Sequence, residues 1–98
     1  IWRKHRHNQR QNCERMKIKL KLYAMLTDFL PQPSVRNETT IEIDEHTTIA
    51  QIIDRYKLPA VWVHLVLLNG VYIYPLEWHE KKLHEGDALA IWPPIAGG

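Results

Sequence analysis

A single amphipathic helical segment stands among several short segments with strand periodicity, and this imbalance constrains the fold more than any other feature of the chain. Its apolar residues recur at the spacing of one helical stripe: Ile49, Ile52, Ile53 and Tyr56. Thr48 and Gln51 have the spacing of a capping box at its start, and Pro59 is expected to stop it. One helix with one stripe can cover one face of one sheet, so a two-layer fold is predicted.

Two segments alternate between apolar and polar residues, as half-buried strands do. In residues 17–23 the lysines and Tyr23 occupy one face, and the other face is apolar: Ile18, Leu20 and Leu22. Residues 39–43 repeat the pattern, with both isoleucines facing inward. Residues 25–38 contain two prolines and are predicted to be a loop, with a helical turn near residues 26–29.

The C-terminal half predicts three further strands. The unbroken apolar run Leu65–Leu68 indicates a buried strand, and Asn69-Gly70 indicates a tight hairpin into a return strand at residues 71–74. Residues 76–84 are expected to be an irregular connection. The turn at residues 85–87 then leads into a last strand, residues 88–92.

The order of elements, β-β-α-β-β-β, predicts the fold class. The economical packing is an α+β, ubiquitin-like β-grasp arrangement, in which one main helix packs across a mixed sheet. In the last strand, Leu89 and Ile91 should face the helix and Trp92 should face outward. Pro93 and Pro94 lack backbone N–H groups, so the sheet ladder is expected to end there.

Basic charge is concentrated in the first fifteen residues. Residues 1–15 carry five Lys/Arg and one Glu, whereas residues 16–98 carry eight Lys/Arg and ten Asp/Glu. We predict a disordered leader or added extension at 1–15, a β-grasp domain at 16–92 and an extended Gly-Gly tail at 93–98. A basic tail can bind nucleic acid, but the folded part is slightly acidic and no nucleic-acid partner is predicted.

Several classes of protein are not supported by the sequence. The one cysteine, Cys13, rules out an internal disulfide and a cysteine-based metal cage. His5 and His7 lie near it, but a fourth ligand at standard spacing is missing, so no metal site is predicted. No nucleophile–base pair is recognisable, and no apolar run approaches the about twenty residues of a membrane span. We expect a non-catalytic cytoplasmic protein that binds no cofactor and no membrane.

The sequence given ends with a thin tail, Trp92-Pro93-Pro94-Ile95-Ala96-Gly97-Gly98. Without a Cβ atom, a Gly-Gly pair can enter a channel too narrow for other residues and present its carboxylate at the bottom. Fully extended, residues 93–98 reach at most about 20 Å. Such a tail is typical of a protein that serves as a substrate or carrier rather than as a catalyst.

The chain resembles the MoaD/ThiS family of sulfur carriers over residues 16–98, and within that family the small subunits of molybdopterin synthase. Four stretches carry the resemblance: Met16–Ala24, Leu65–Gly70, Leu83–Asp87 and Ile91–Gly98. The double proline before Gly-Gly is the most specific of these, since thiazole-pathway carriers usually lack it. Residues 31–38, residues 77–82 and the basic leader depart from the family pattern.

The resemblance implies a chemical role for Gly98. An E1-like adenylyltransferase would use ATP to adenylate its carboxylate, and a sulfur donor such as a cysteine desulfurase system would convert it to a thiocarboxylate. The large subunit of molybdopterin synthase, in a heterotetramer with this chain, would pass that sulfur to a pterin precursor. The residues implied to enter the partner are Pro93, Pro94, Ile95, Ala96 and Gly97.

Other outcomes of the same resemblance stay open. The sulfur could serve thiazole (thiamine) synthesis or tRNA thiolation instead, and the molybdenum and tungsten forms of the cofactor share the same step. Gly98 could also be joined to lysine, as in a ubiquitin-like modifier. In a plain β-grasp binding module, deletion of Gly97-Gly98 would leave function intact.

Three aromatic residues are predicted to bind the partners. Tyr23 and Trp92 should lie side by side on the open face of the sheet, because the first and last strands of a β-grasp are neighbours. Tyr72 is the third member, and the resemblance implies an apolar patch at these positions that docks both the activating enzyme and the synthase. Exposed aromatic clusters commonly mark interfaces. The alternative is that Trp92 packs beneath the 31–38 loop; Trp62 and Trp78 are expected in the core or at its rim.

Overall fold

The computed structural model describes residues 15–94. In this range one sheet and one α-helix are formed by β1 (Arg15–Leu22), β2 (Glu38–Asp44), α1 (Ile49–Arg55), β3 (Leu65–Leu68), β4 (Val71–Tyr72) and β5 (Ala88–Trp92). Short 3-10 helices cover Ala24–Phe29, Ala60–Trp62 and Pro75–Glu77. None of the helices in this range is long and apolar enough to cross a membrane.

The sheet has the mixed topology that the sequence predicts. Its strand order is β2-β1-β5-β3-β4, and β1 and β5 run parallel at its centre. The other neighbours pair antiparallel. β1 begins at Arg15, opposite Asp44, two residues earlier than the alternation indicated. The predicted β-grasp arrangement is confirmed.

The hydrophobic core lies between the sheet and α1. The inward side chains of β1 and the buried face of α1 are almost completely removed from water: Ile18, Leu20, Leu22, Ile49 and Ile52. Burial of each such side chain contributes about 1.5–3 kcal/mol. Trp62 and Trp78 are partly buried against this core, as predicted. The indole N–H of Trp78 donates to the carbonyl of Ile73 at 3.1 Å.

The start of α1 is as predicted, whereas its end is not. Thr48 and Gln51 form a complete capping box, in which each side chain accepts a hydrogen bond from the other's backbone N–H. The helix stops at Arg55, before Pro59, because Lys57 adopts a positive φ of 54°. The backbone N–H groups of Lys57 and Leu58 then donate to Asp54 and Ile53, as in a Schellman motif.

The predicted Asn69-Gly70 hairpin is confirmed, with φ values of 53° and 84° that suit a type I′ turn. The return strand β4 ends at Tyr72 rather than at residue 74. One further ladder-like bond follows, from the N–H of Ile73 to the carbonyl of Val66 at 3.0 Å. Pro75 then starts a 3-10 helix, and the chain leaves the edge of the sheet.

At the end of the sheet away from Trp92, the side chain of Asn69 connects the hairpin to the turn before β5. The amide of Asn69 donates to Asp87 at 2.9 Å and accepts from the N–H of Ala88 at 2.9 Å. Gly86, with a φ of 84°, donates its N–H to the carbonyl of Lys17. The hairpin and the turn before β5 are therefore fastened to each other and to β1, which fixes the direction of β5.

Candidate partner-docking site

The chain leaves the sheet at a fixed point. Trp92 is the last residue of β5, opposite Leu65, and its carbonyl accepts a hydrogen bond from the N–H of His64 at 3.0 Å. Pro93 is buried and Pro94 is exposed. The first residue of the predicted tail, Pro93, therefore packs against the domain, and the exposed part of the described tail begins at Pro94. The predicted tail residues Ile95, Ala96, Gly97 and Gly98 lie outside the described residues.

The rings of Tyr23 and Trp92 stack beside this exit. Their centroids are 4.3 Å apart and their planes differ by 1°. The contact follows from the parallel pairing of β1 with β5, which brings Tyr23 next to Trp92 once Leu22 is opposite Ile91. The predicted adjacency is confirmed. Both side chains are half-buried, and Trp92 is not one of the residues that form the hydrophobic core. The alternative, in which Trp92 packs as a core residue beneath the 31–38 loop, is therefore not observed.

The apolar surface extends from this stack across the sheet to β4. Tyr72 is opposite Leu67, and Leu67 is opposite Ala90, so the three side chains share the face that α1 does not cover. Tyr72 is 38% exposed and its ring meets Tyr74 edge-on at 4.7 Å. We call the following set the apolar face: Tyr23, Leu65, Leu67, Tyr72, Ala90 and Trp92.

Sequence reasoning missed Leu65 and Leu67, because an unbroken apolar run indicated a strand buried on both faces. The structure shows an alternation instead: Val66 and Leu68 are buried, whereas Leu65 and Leu67 are half-buried on the open face. Leucines on a sheet face that no other element covers are typical of a protein–protein interface. Tyr72 is on β4 and Trp92 is on β5, and these two strands are separated by β3. Leu65 and Leu67 of β3 therefore lie between Tyr72 and the Tyr23–Trp92 stack.

No metal-binding cluster is found in the part of the chain that the structure describes. Within residues 15–94, no three His, Cys, Asp or Glu side chains come together as a metal site would require. His5, His7 and Cys13 lie outside that part. The candidate site consists of the apolar face, and the chain leaves the sheet at one border of that face.

The loop that departs from the family pattern borders the same face. Its backbone folds back at residues 35–38, where Val35 and Glu38 exchange two hydrogen bonds of 3.0 and 3.1 Å. Asn37 is tied to the end of β1: its carbonyl accepts from the N–H of Leu22 at 2.9 Å, and its side-chain amide donates to the carbonyl of Leu22 at 3.2 Å. The loop therefore lies next to Tyr23 in a defined position.

Solved structures with similar folds come from archaea and bacteria. The protein HVO 2177 of Haloferax volcanii is 22% identical with a TM-score of 0.67, over 86% of this chain and 88% of that one. The small archaeal modifier protein 1 of Methanosarcina acetivorans is 22% identical with a TM-score of 0.58, over 87% and 99%. Subunits 1 and 2 of the molybdopterin-converting factor of Helicobacter pylori form a complex whose matching chain is 18% identical with a TM-score of 0.52, over 85% and 100%. No curated protein matches the sequence significantly.

A mixed five-stranded sheet with one covering helix, an open apolar face and a chain exit beside it defines a ubiquitin-like β-grasp protein. The sequence pattern of the ThiS family matches residues 22–98, and the chain belongs to that family. The MoaD/ThiS family resemblance predicted from the sequence is thus confirmed.

Proposed function

We propose that the chain is a sulfur carrier for molybdopterin synthesis, with Gly98 as the residue that carries the sulfur. The observation that supports this most is that the ThiS family match continues to Gly98 and so includes the Pro93-Pro94 and Gly97-Gly98 pairs. The double proline favours molybdopterin synthesis over the thiazole pathway. The chain itself supplies no catalytic group in this proposal; its partners do the chemistry.

The proposed chemistry has three steps. An E1-like adenylyltransferase joins the Gly98 carboxylate to the AMP part of ATP and releases pyrophosphate, because oxide is too poor a leaving group for direct displacement. Sulfide then attacks the acyl carbon and AMP leaves, which gives the thiocarboxylate; with a persulfide donor the product is an acyl disulfide, and a thiol must reduce its S–S bond to release the thiocarboxylate. The thiocarboxylate transfers its sulfur to a pterin precursor held by the large subunit of molybdopterin synthase, and water takes the place of the sulfur on the acyl carbon, which regenerates the Gly98 carboxylate.

The geometry of the exit suits a carrier. Because Pro93 is buried, the segment that can enter a partner begins at Pro94, and residues 94–98 span at most about 17 Å. We propose that the apolar face, with Tyr23, Tyr72 and Trp92, docks the adenylyltransferase and the large subunit in turn. Docking on the sheet next to the exit would fix the start of the tail relative to the partner and keep Gly98 within about 17 Å of that start.

The first step can be tested with purified components. The chain is incubated with ATP, a sulfur donor and the E1-like adenylyltransferase encoded in the same genome, and its intact mass is measured. The expected result is replacement of one oxygen by sulfur at Gly98, located by fragmentation. A Gly97→Val variant keeps the terminal carboxylate but widens the tail, and should react far more slowly. An unchanged wild-type mass, with an enzyme shown to be active, would reject the proposal.

The acceptor is tested in a second reaction. The thiocarboxylated chain should form a complex with the large subunit of molybdopterin synthase and lose its sulfur to the pterin precursor. Sulfur delivery to a thiazole precursor or to tRNA, with none to the pterin, would assign the chain to another pathway.

A protein-modifying function is the second candidate, since one relative with the same fold is named a small archaeal modifier protein. It shares the adenylation step and differs in what attacks Gly98. In cell lysate, a modifier would be found joined through Gly98 to lysine side chains of other proteins. Isopeptide-linked peptides in a tryptic digest would favour this function.

A further inference from the structure

The 31–38 loop presents one cation beside the Tyr23–Trp92 stack. Arg36 is at the tip of the tight turn between Val35 and Glu38, and the two hydrogen bonds between Asn37 and Leu22, one donated by each residue, attach this turn to the end of β1. A further bond, from the hydroxyl of Thr39 to the carbonyl of Pro33 at 2.8 Å, closes the base of the loop. The position of Arg36 is therefore set by the sheet rather than by chance contacts at the surface.

Arg36 occupies this position in an unfavourable backbone conformation. Its φ is 59°, in the left-handed region that costs a residue with a Cβ about 1–2 kcal/mol. A glycine would avoid this cost. Lys57 has a similar φ of 54° at the end of α1, so this conformation does not by itself indicate a function. What distinguishes Arg36 is its place, because it lines a groove together with Tyr23.

Lys21 adds a second positive charge to the same place. An open groove beside the stack is lined by both cations and their neighbours: Lys21, Tyr23, Val35, Arg36, Asn37 and Glu38. The carboxylate of Glu38 lies 3.7 Å from Lys19, and Arg15 lies 3.3 Å from Glu42. Among residues 15–94, neither Lys21 nor Arg36 has a carboxylate within 4.0 Å. The border of the apolar face next to the stack is therefore positive.

We propose that Lys21 and Arg36, which we call the cationic margin, select a protein partner that has carboxylates beside the apolar surface receiving the Tyr23–Trp92 stack. The inference rests on the proposed function, since the partner meant is the E1-like adenylyltransferase that receives the tail first. Exposed charges at the rim of an interface act mainly through the association rate and are sensitive to salt. The cationic margin is thus expected to control recognition, and not the chemistry at Gly98.

The test measures adenylation at varied carrier concentration. The double variant Lys21→Glu/Arg36→Glu should raise KM for the carrier on the order of tenfold or more, since it juxtaposes like charges, and leave kcat unchanged. The control variant Lys57→Glu/Lys81→Glu changes the net charge equally, and Lys57 has the same left-handed backbone as Arg36. Its KM should stay close to that of the wild type.

Salt supplies an independent readout. Between about 0.1 M and 1 M ionic strength the Debye length falls from about 10 Å to 3 Å, so the wild-type KM should rise and the difference between wild type and double variant should shrink. Arg36→Gly removes the strain together with the charge. It should therefore be more stable than the wild type and yet have a higher KM, a combination that a purely structural role of Arg36 would not produce.

Two results would overturn the inference, and they are distinguishable. If the wild type is adenylated and the double variant has the same KM as the control variant, the cationic margin has no role in recognition. If the wild type is not adenylated at all, the proposed function fails and the inference fails with it.

Discussion

Trp92 combines three structural tasks in a single residue. It closes the pairing of β5 with β3, its carbonyl is held by the N–H of His64 at 3.0 Å, and its ring lies 4.3 Å from that of Tyr23. A stacked aromatic pair contributes about 0.5–1.5 kcal/mol beyond its buried area. The point where the chain leaves the sheet is thus defined by backbone and side-chain contacts together. Any partner bound to the stack is at the same time next to the exit.

Asp44, at the other end of the sheet, provides a prediction on pH. Hydrogen bonds from the N–H of His46 and the hydroxyl of Thr47, at 2.8 and 3.0 Å, keep the pKa of the Asp44 carboxyl below its ordinary value of 3.8. Since the folded pKa is below the unfolded one, these bonds stabilise the fold fully above pH 3.8. The contribution is lost as pH falls through the folded pKa.

Asp44→Asn keeps the accepting oxygen and removes the titration, so the free energy of unfolding of this variant should fall less than that of the wild type as pH drops below 3.8. Urea denaturation across a pH series measures this. Asp44→Ala, which lacks the acceptor, should be less stable than the wild type at neutral pH. Parallel pH profiles for wild type and Asp44→Asn would contradict the assignment.

At the scale of the elements, the end of α1 contains one of the strained residues of the described structure. Lys57 has a φ of 54° at the position where helices usually place glycine. We predict that Lys57→Gly raises the free energy of unfolding by about 0.5–1 kcal/mol, because relief of the left-handed strain exceeds the entropy that glycine adds to the unfolded chain. Lys57→Ala keeps the strain and should not stabilise. Equal stability of the glycine and alanine variants in thermal denaturation would reject this explanation.

The sequence predictions are correct where the structure depends on strong preferences of residues close together in the chain, and they are wrong where it depends on weak preferences or on distant contacts. The capping box of Thr48 and the Asn69-Gly70 hairpin were predictable, because each depends on residues that are adjacent or three apart and that have strong preferences. The end of α1 was not predictable, because lysine has no preference for positive φ. Only the hydrogen bonds of the Schellman motif identify Lys57 as the residue that ends the helix. Leu65 and Leu67 were assigned to the core because an apolar run looks the same whether a helix or a partner protein covers its second face.

The molecule as a whole is a sheet with two differently used faces. α1 covers one, and the other combines the apolar face with a half that carries ion pairs, such as Arg15 with Glu42 at 3.3 Å. A sheet of this size could be stable with one face in water, as antiparallel sheets often are. The stability of the sheet does not require the half-buried leucines and stacked rings on the second face, and under the proposed function they form the surface that a partner covers.

Two adjacent leucines of β3 allow the contributions of the core and of the apolar face to be measured separately. Leu68 is 7% exposed and belongs to the core, whereas Leu67 is half-buried on the apolar face. Leu68→Ala should lower the free energy of unfolding by about 2–5 kcal/mol, and Leu67→Ala should lower it by clearly less.

The adenylation assay, at a temperature where both variants are folded, distinguishes docking from stability. Leu67→Ala should raise KM for the carrier several-fold, which corresponds to a loss of apolar contact on the order of 1 kcal/mol. Leu68→Ala should keep the wild-type KM. Since the two substitutions remove the same atoms one residue apart, an equal rise of KM in both would show that stability, and not docking, governs the reaction.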